Sequence, residues 1–199
     1  MDATASLKTA GVSLSNDKEL VLKRVFNAPK EIVFKAWTDA DRLIRWWAPK
    51  GFTTTSLKVD LRTGGAFLYC MRSAEGQDFW GRGVYREIIE PKLIVYTDSF
   101  SDEKGALVEP SHYGMNPAFP SETLVTVRII ERKGKTEVTL RHAVPVSIPE
   151  RSGMEQGWGE MLDQLAEELE KEKTVRKTVT ASKHVGRGKR KALSGKRGR

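Results

Sequence analysis

Polar and apolar residues alternate through most of the chain, and one late stretch changes to a helical rhythm. Glu19-Leu20-Val21-Leu22-Lys23-Arg24-Val25-Phe26 is rich in β-formers and reads as a first strand. Next, Asn27 or Ala28 can cap a helix, and Pro29 suits its first position, where a missing N–H costs nothing. Ile32, Val33, Ala36 and Trp37 then fall at helical spacing. Asp39 can cap a second short helix carrying Leu43, Trp46 and Trp47, which Pro49 and Gly51 end.

The middle of the chain predicts strands at about 53–61, 65–73, 79–90, 92–100, 123–132 and 135–143. Thr63-Gly64-Gly65, Glu75-Gly76-Gln77-Asp78, Glu90-Pro91-Lys92 and Lys133-Gly134-Lys135 supply turns, and such short links favour antiparallel neighbours. Residues 101–121, with three prolines and two glycines, read as a long loop, a common form of lid beside a binding site. From Pro149-Glu150 onward, Met154, Trp158, Met161, Leu162, Leu165 and Leu169 make one apolar stripe, while Glu160, Asp163, Glu167, Glu168 and Lys171 face out. That pattern predicts a helix of roughly 20 residues, ~30 Å long.

The expected fold class is therefore α+β: a curved antiparallel sheet of about six or seven strands wrapped on a long C-terminal helix, with two short helices after the first strand. A sheet curled around one helix leaves a gap between them, which is the candidate cavity.

Charge divides the chain. The net charge is +8, yet residues 174–199 hold ten Lys and Arg with no Asp or Glu, leaving 24 basic against 26 acidic residues before them. Without aromatics or sustained periodicity, 174–199 reads as a disordered basic tail, 18–173 as the folded domain and 1–17 as a flexible N-terminus. Such a tail binds nucleic acid or anionic lipid through counterion release without sequence preference, or simply solubilises the chain. The absence of an apolar run of membrane-spanning length or a secretory-type start leaves a cytoplasmic protein as the expectation. Oligomeric state, monomer or homodimer, is left open.

Candidate chemistry is sparse. His112, His142 and His184 lie on a loop, a strand and the tail, and Cys70 stands alone, so neither a metal site nor a cofactor is expected. Cys70 has no base nearby in sequence and reads as a structural thiol. Gly81-Arg82-Gly83 reads as a bulge or close-packing site rather than a phosphate cradle. Strand 79–90 has two possible inward phases. One presents Trp80, Arg82, Val84, Arg86 and Ile88, with an arginine then inside; the other presents Phe79, Gly81, Gly83, Tyr85, Glu87 and Ile89. Gly157 and Gly159 each cost ~1 kcal/mol in a helix and mark either close cargo or a packing notch.

Five blocks in order carry a resemblance. They are Arg24-Val25-Phe26-Asn27-Ala28-Pro29-Lys30-Glu31-Ile32-Val33-Phe34-Lys35-Ala36-Trp37-Thr38-Asp39; Leu43-Ile44-Arg45-Trp46-Trp47-Ala48-Pro49-Lys50-Gly51-Phe52; Asp60-Leu61-Arg62-Thr63-Gly64-Gly65; Gly83-Val84-Tyr85-Arg86-Glu87-Ile88; and Gly157-Trp158 with Leu162-Asp163-Gln164-Leu165. Over roughly 18–170 the chain resembles the SRPBCC superfamily, the helix-grip fold of START lipid-transfer domains and the birch pollen allergen. Within it, the chain is similar to the group named after a domain of the heat-shock protein 90 ATPase activator.

Fold and resemblance together imply non-catalytic binding of a small hydrophobic molecule between sheet and helix. The expected lining is Trp46, Trp47, Phe67, Tyr69, Tyr96, His142, Trp158 and Met161. Met adapts its shape to a guest and Tyr offers a hydroxyl. The resemblance also admits an enzyme of cyclase or hydrolase type on the same cavity, drawing on His142, tyrosines and Glu87. The group's name further suggests a co-chaperone that activates an ATPase.

Overall fold

The computed structural model describes Val12–Ser13 and residues 18–193, with side chains from 18 to 175. Eight strands form one antiparallel sheet: β1 (Val12–Ser13), β2 (Leu20–Phe26), β3 (Phe52–Val59), β4 (Ala66–Ser73), β5 (Asp78–Ile89), β6 (Leu93–Phe100), β7 (Thr123–Arg132) and β8 (Lys135–His142). The spatial order is β1-β2-β8-β7-β6-β5-β4-β3, and the sheet curls into a half-barrel. From β3 to β8 each strand pairs with its sequence neighbour. The short helices α1 (Lys30–Thr38) and α2 (Ala40–Leu43) carry the chain from β2, near one edge, to β3 at the other.

Local sequence explains both helices. Pro29 is extended (φ −61°, ψ 149°) and occupies the cap rather than the first helical position expected for it, which Lys30 takes; its carbonyl accepts the first backbone bonds, from Ile32 and Val33. The Asp39 carboxylate caps α2 by accepting from the Asp41 and Arg42 N–H groups. α2 ends at Leu43, so Trp46 and Trp47 sit on the following turn rather than on the helix; their backbone N–H groups donate to the Leu43 carbonyl.

The long helix α3 spans Arg151–Leu193, 43 residues against the roughly 20 expected, because no proline interrupts the backbone beyond the apolar stripe. Its backbone thus continues past Lys173 into the segment read as a tail. The basic side chains from Arg176 onward, the expected nucleic-acid contact, lie outside the described residues, as do residues 194–199 and all of 1–17 except the backbone of β1.

α3 crosses the concave face of the sheet. Leu162, Leu165 and Leu169 pack with Leu20, Leu22 and Phe26 of β2, Val125, Val127 and Ile129 of β7, and Val138 and Leu140 of β8. Arg24 reaches Asp163 at 3.0 Å, Arg42 reaches Glu172 at 2.8 Å, and Gln164 donates to the Ala48 carbonyl at 2.7 Å. Arg151, buried at the helix start, donates to the carbonyls of Val144 (2.9 Å) and Glu19 (2.7 Å). A satellite cluster of Phe119, Val144 and Ile148, with Phe100 and Met154, fixes the 101–121 loop, which contains one 3-10 turn at Pro110–Tyr113.

The phase of β5 resolves in favour of glycine. Gly81, Gly83 and Tyr85 are buried, and a bulge between Tyr85 and Glu87 then reverses the phase, so that Ile88 packs on the core. Arg82 and Arg86 therefore point outward: Arg82 donates to the Gly105 carbonyl at 3.1 Å, and Arg86 lies 3.6 Å from Glu122. Glu87 is exposed. Cys70 is fully buried and unpaired, and burial pushes its thiol up, the opposite of an activated nucleophile.

Candidate functional site

The two glycines of β5 shape the inner surface. A Cβ on Gly81 would stand 2.2 Å from the Tyr69 ring, and one on Gly83 would stand 2.1 Å from the Phe67 ring. Tyr69 and Phe67 therefore lie flat across β5, stacked with centroids 6.0 Å apart. Strands are spaced ~4.8 Å apart, so a ring that crosses the bare middle strand reaches the strand beyond it. The Tyr69 hydroxyl does so, donating to Asp98 Oδ1 of β6 at 3.2 Å.

Asp98 shares the inward phase of Ile94 and Tyr96. It is half-buried, with its remaining surface on a cavity rather than against lysine or arginine. Loss of hydration raises its carboxyl from 3.8 to about 7, although the Tyr69 hydroxyl and the Ser99 backbone N–H favour the charged form. Burial also raises the Tyr69 phenol, and the nearby Asp98 charge raises it further.

That cavity measures about 470 Å³, is half open, and lies between the start of α3 and the inner faces of β4, β5 and β6. Tyr69, Met71 and Phe79 form the sheet wall, Met115, Phe119 and Pro120 of the long loop form another, and Trp47, Pro49 and Phe52 close the α2–β3 side. The helix contributes Gly153, Met154, Gly157, Trp158 and Met161, one face at helical spacing. Gly157 lacks the side chain that would meet Pro49 at 3.7 Å, and a Cβ on Gly153 or Gly159 would meet nothing within 4 Å. The helix face that fills the core at Leu162–Leu169 is thus broken by glycines at its N-terminal end.

Of the eight residues expected to line a site, Trp47, Tyr69, His142, Trp158 and Met161 stand on the cavity wall. Trp46, Phe67 and Tyr96 do not; they are packed into the closed core behind it. Trp46 is 1% exposed and donates its indole N–H to the Ala36 carbonyl at 3.0 Å, which turns it away from the opening. Phe67 and Tyr96 contact each other edge to face at 5.0 Å beneath Trp47 and Tyr69. Four tryptophans, Trp37, Trp46, Trp47 and Trp158, cluster together: Trp37 stacks on Trp158 at 6.1 Å, and Trp47 meets Trp158 edge-on at 5.7 Å. Such pairs contribute ~0.5–1.5 kcal/mol each beyond their buried area.

His142 is satisfied on both nitrogens. Trp158 Nε1–H donates to Nδ1 at 3.1 Å, so the neutral ring carries its proton on Nε2, which lies 2.8 Å from Thr123 Oγ1. Thr123 in turn donates to the Asp98 carbonyl at 3.1 Å. Desolvation lowers the imidazole to about 4. A histidine held neutral with no free nitrogen positions Trp158; it is not arranged as a base.

Sequence reasoning passed over Asp98, Gly153, Glu150 and the loop residues Met115 and Phe119. Asp98 was findable from the alternation Ile94, Tyr96, Asp98, which places a carboxylate on an apolar face. Glu150 accepts from the Asn116 N–H at 2.7 Å through Oε1, while its other oxygen is buried without a partner.

A half-barrel of antiparallel strands gripping a long C-terminal helix, with a hollow at one end, is the helix-grip architecture of the SRPBCC superfamily. Residues 27–170 match the family described as activator of Hsp90 ATPase homolog 1-like protein, and the chain belongs to it. Similar solved structures include a Chromobacterium violaceum protein (28% identity over 77% of this chain and 97% of that one, TM-score 0.63) and a Nitrosomonas europaea protein (28%, 81% and 99%, TM-score 0.63). The AHSA1 protein of Silicibacter pomeroyi is similar at 25% identity, covering 77% of this chain and 99% of that one with a TM-score of 0.62. No curated protein matches.

Proposed function

We propose that this protein binds a small hydrophobic molecule, without transforming it, in the cavity between the sheet and the start of α3. One observation carries the reading: Gly153 and Gly157 leave gaps beside Met154, Trp158 and Met161 on the helix face that borders a hollow of about 470 Å³ walled by aromatic rings and methionines. The volume lies within the ~300–1,000 Å³ of small-molecule sites. Each helical glycine costs ~1 kcal/mol relative to alanine, so the void is maintained against local preference. The occupied nitrogens of His142 favour binding over acid–base turnover by that residue.

Native mass spectrometry of the freshly purified protein, paired with displacement of an apolar fluorescent dye, tests the reading. The expected result is dye uptake that Gly157→Leu reduces at least tenfold while thermal unfolding stays cooperative. Equal dye uptake by wild type and Gly157→Leu overturns it.

A further inference from the structure

Resting on that binding reading, we infer that the cavity selects lipophilic ammonium compounds, apolar molecules carrying one cationic amine, and that Asp98 is the residue that meets the amine. Three observations point the same way. First, the only charged side chains on the wall are acidic, Asp98 and Glu150, and no lysine or arginine among the described residues faces the cavity. An anionic amphiphile entering there would set a carboxylate against a carboxylate with no counter-ion in a medium of low dielectric.

Second, Asp98 keeps capacity for a guest. Among the described residues its side-chain hydrogen-bond partner is the Tyr69 hydroxyl, and that bond fixes the carboxyl at the cavity surface without supplying the positive charge that would neutralise it. The other titratable wall groups do not compete for the role. Tyr69 is a neutral phenol, and His142 is a neutral imidazole bonded at both nitrogens. Glu150 is tied through Oε1 to Asn116 on the loop, and its other oxygen is shut off from the cavity surface.

Third, the rest of the wall is aromatic. The rings of Tyr69, Phe79, Phe100, Phe119 and Trp158 line the same hollow. Aromatic faces attract cations and do not attract anions. A carboxylate among rings is thus a receptor for an ammonium group on an apolar body. Burying the pair is offset by the hydration that Asp98 has already lost on folding.

The test uses one apolar body with three arms: naphthalene bearing an ethylammonium, a hydroxyethyl or an acetate group. Each is titrated calorimetrically into the full chain at pH 8, where Asp98 is ionised. Wild type should bind the ammonium at least tenfold more tightly than the acetate, with the alcohol between them. Asp98→Asn, which preserves shape and the acceptor for Tyr69, should bring the ammonium-to-acetate ratio within threefold. Tyr69→Phe should keep the preference, since it removes the phenol and leaves the carboxylate.

The wild-type ratio needs no variant to fold, so acetate binding as tightly as ammonium overturns the inference outright. An unchanged ratio in folded Asp98→Asn overturns the assignment to that residue. Alcohol binding without ammonium preference sinks the inference while leaving the cavity reading standing. Failure of all three probes together with failure of dye uptake sinks both.

Discussion

Replacing Asp98 by asparagine should make the protein more stable in mild alkali and leave it nearly unchanged in mild acid. The folded carboxyl titrates at about 7 against 3.8 for an unperturbed group. A raised folded value means that the native state holds a proton that the unfolded chain has released. Below about 4 both states are protonated and the group is neutral to stability. Between about 4 and 7 stability falls as pH rises, and above about 7 the full penalty is present. A shift of about three units corresponds to roughly 4 kcal/mol, which we reduce to ~2 kcal/mol because part of the carboxyl faces a half-open cavity. Asparagine keeps the acceptor for the Tyr69 hydroxyl and cannot ionise. Urea unfolding of both proteins at pH 5, 6, 7 and 8 should therefore give curves about 1 kcal/mol apart or less at pH 5 that diverge to ~2 kcal/mol by pH 8, with the variant the more stable. A variant less stable than wild type at pH 8, or a difference that does not change with pH, refutes the reasoning.

His142 has the opposite sign: its folded value is lowered to about 4, so stability is lost as pH falls from about 6.5, by up to ~3 kcal/mol; His142→Phe should flatten that limb in thermal melts at pH 5 and 7 while its removal leaves the Trp158 indole N–H unpaired and lowers stability at neutral pH by ~1–3 kcal/mol. Gly83→Ala should cost more than ~3 kcal/mol in denaturant titrations because its Cβ meets the Thr97 carbonyl at 2.4 Å as well as the Phe67 ring, whereas the nearest atoms to a Cβ on Gly81 all belong to the Tyr69 side chain, and Gly81→Ala should cost ~1–3 kcal/mol. Arg151→Met strands the Val144 and Glu19 carbonyls and should lower stability by ~2–3 kcal/mol, read as the urea midpoint.

Much of the architecture could be read from the residues, because strand period, turn chemistry and helix period each leave local traces. The strands from Phe52 to His142 fall within two residues of their expected limits, since glycine, proline and acidic turns punctuate them. β5 resisted because a bulge after Tyr85 breaks period two, so Tyr85 and Ile88 face inward three residues apart. No propensity marks that register slip. The length of α3 was missed because burial, not helix propensity, set its expected end. Within the candidate site, aromatic content marked rings that the fold gathers together but could not separate wall from core. Trp46 and Trp47 are adjacent, and only the turn after α2 sends one into the packed interior and the other toward the hollow. Asp98 depends on a non-local arrangement, a tyrosine reaching over a glycine-bearing strand, which sequence alternation shows only in part.

The uneven filling of α3 separates two duties along a single rod. Its Leu162–Leu169 segment clasps the sheet, while the glycine-bearing turns before it face the hollow, and Met154, Trp158 and Met161 belong to both. On the proposed binding role, a substitution at Met154, Trp158 or Met161 would alter chamber and clasp together, whereas one at Gly153 or Gly157 would alter the chamber alone.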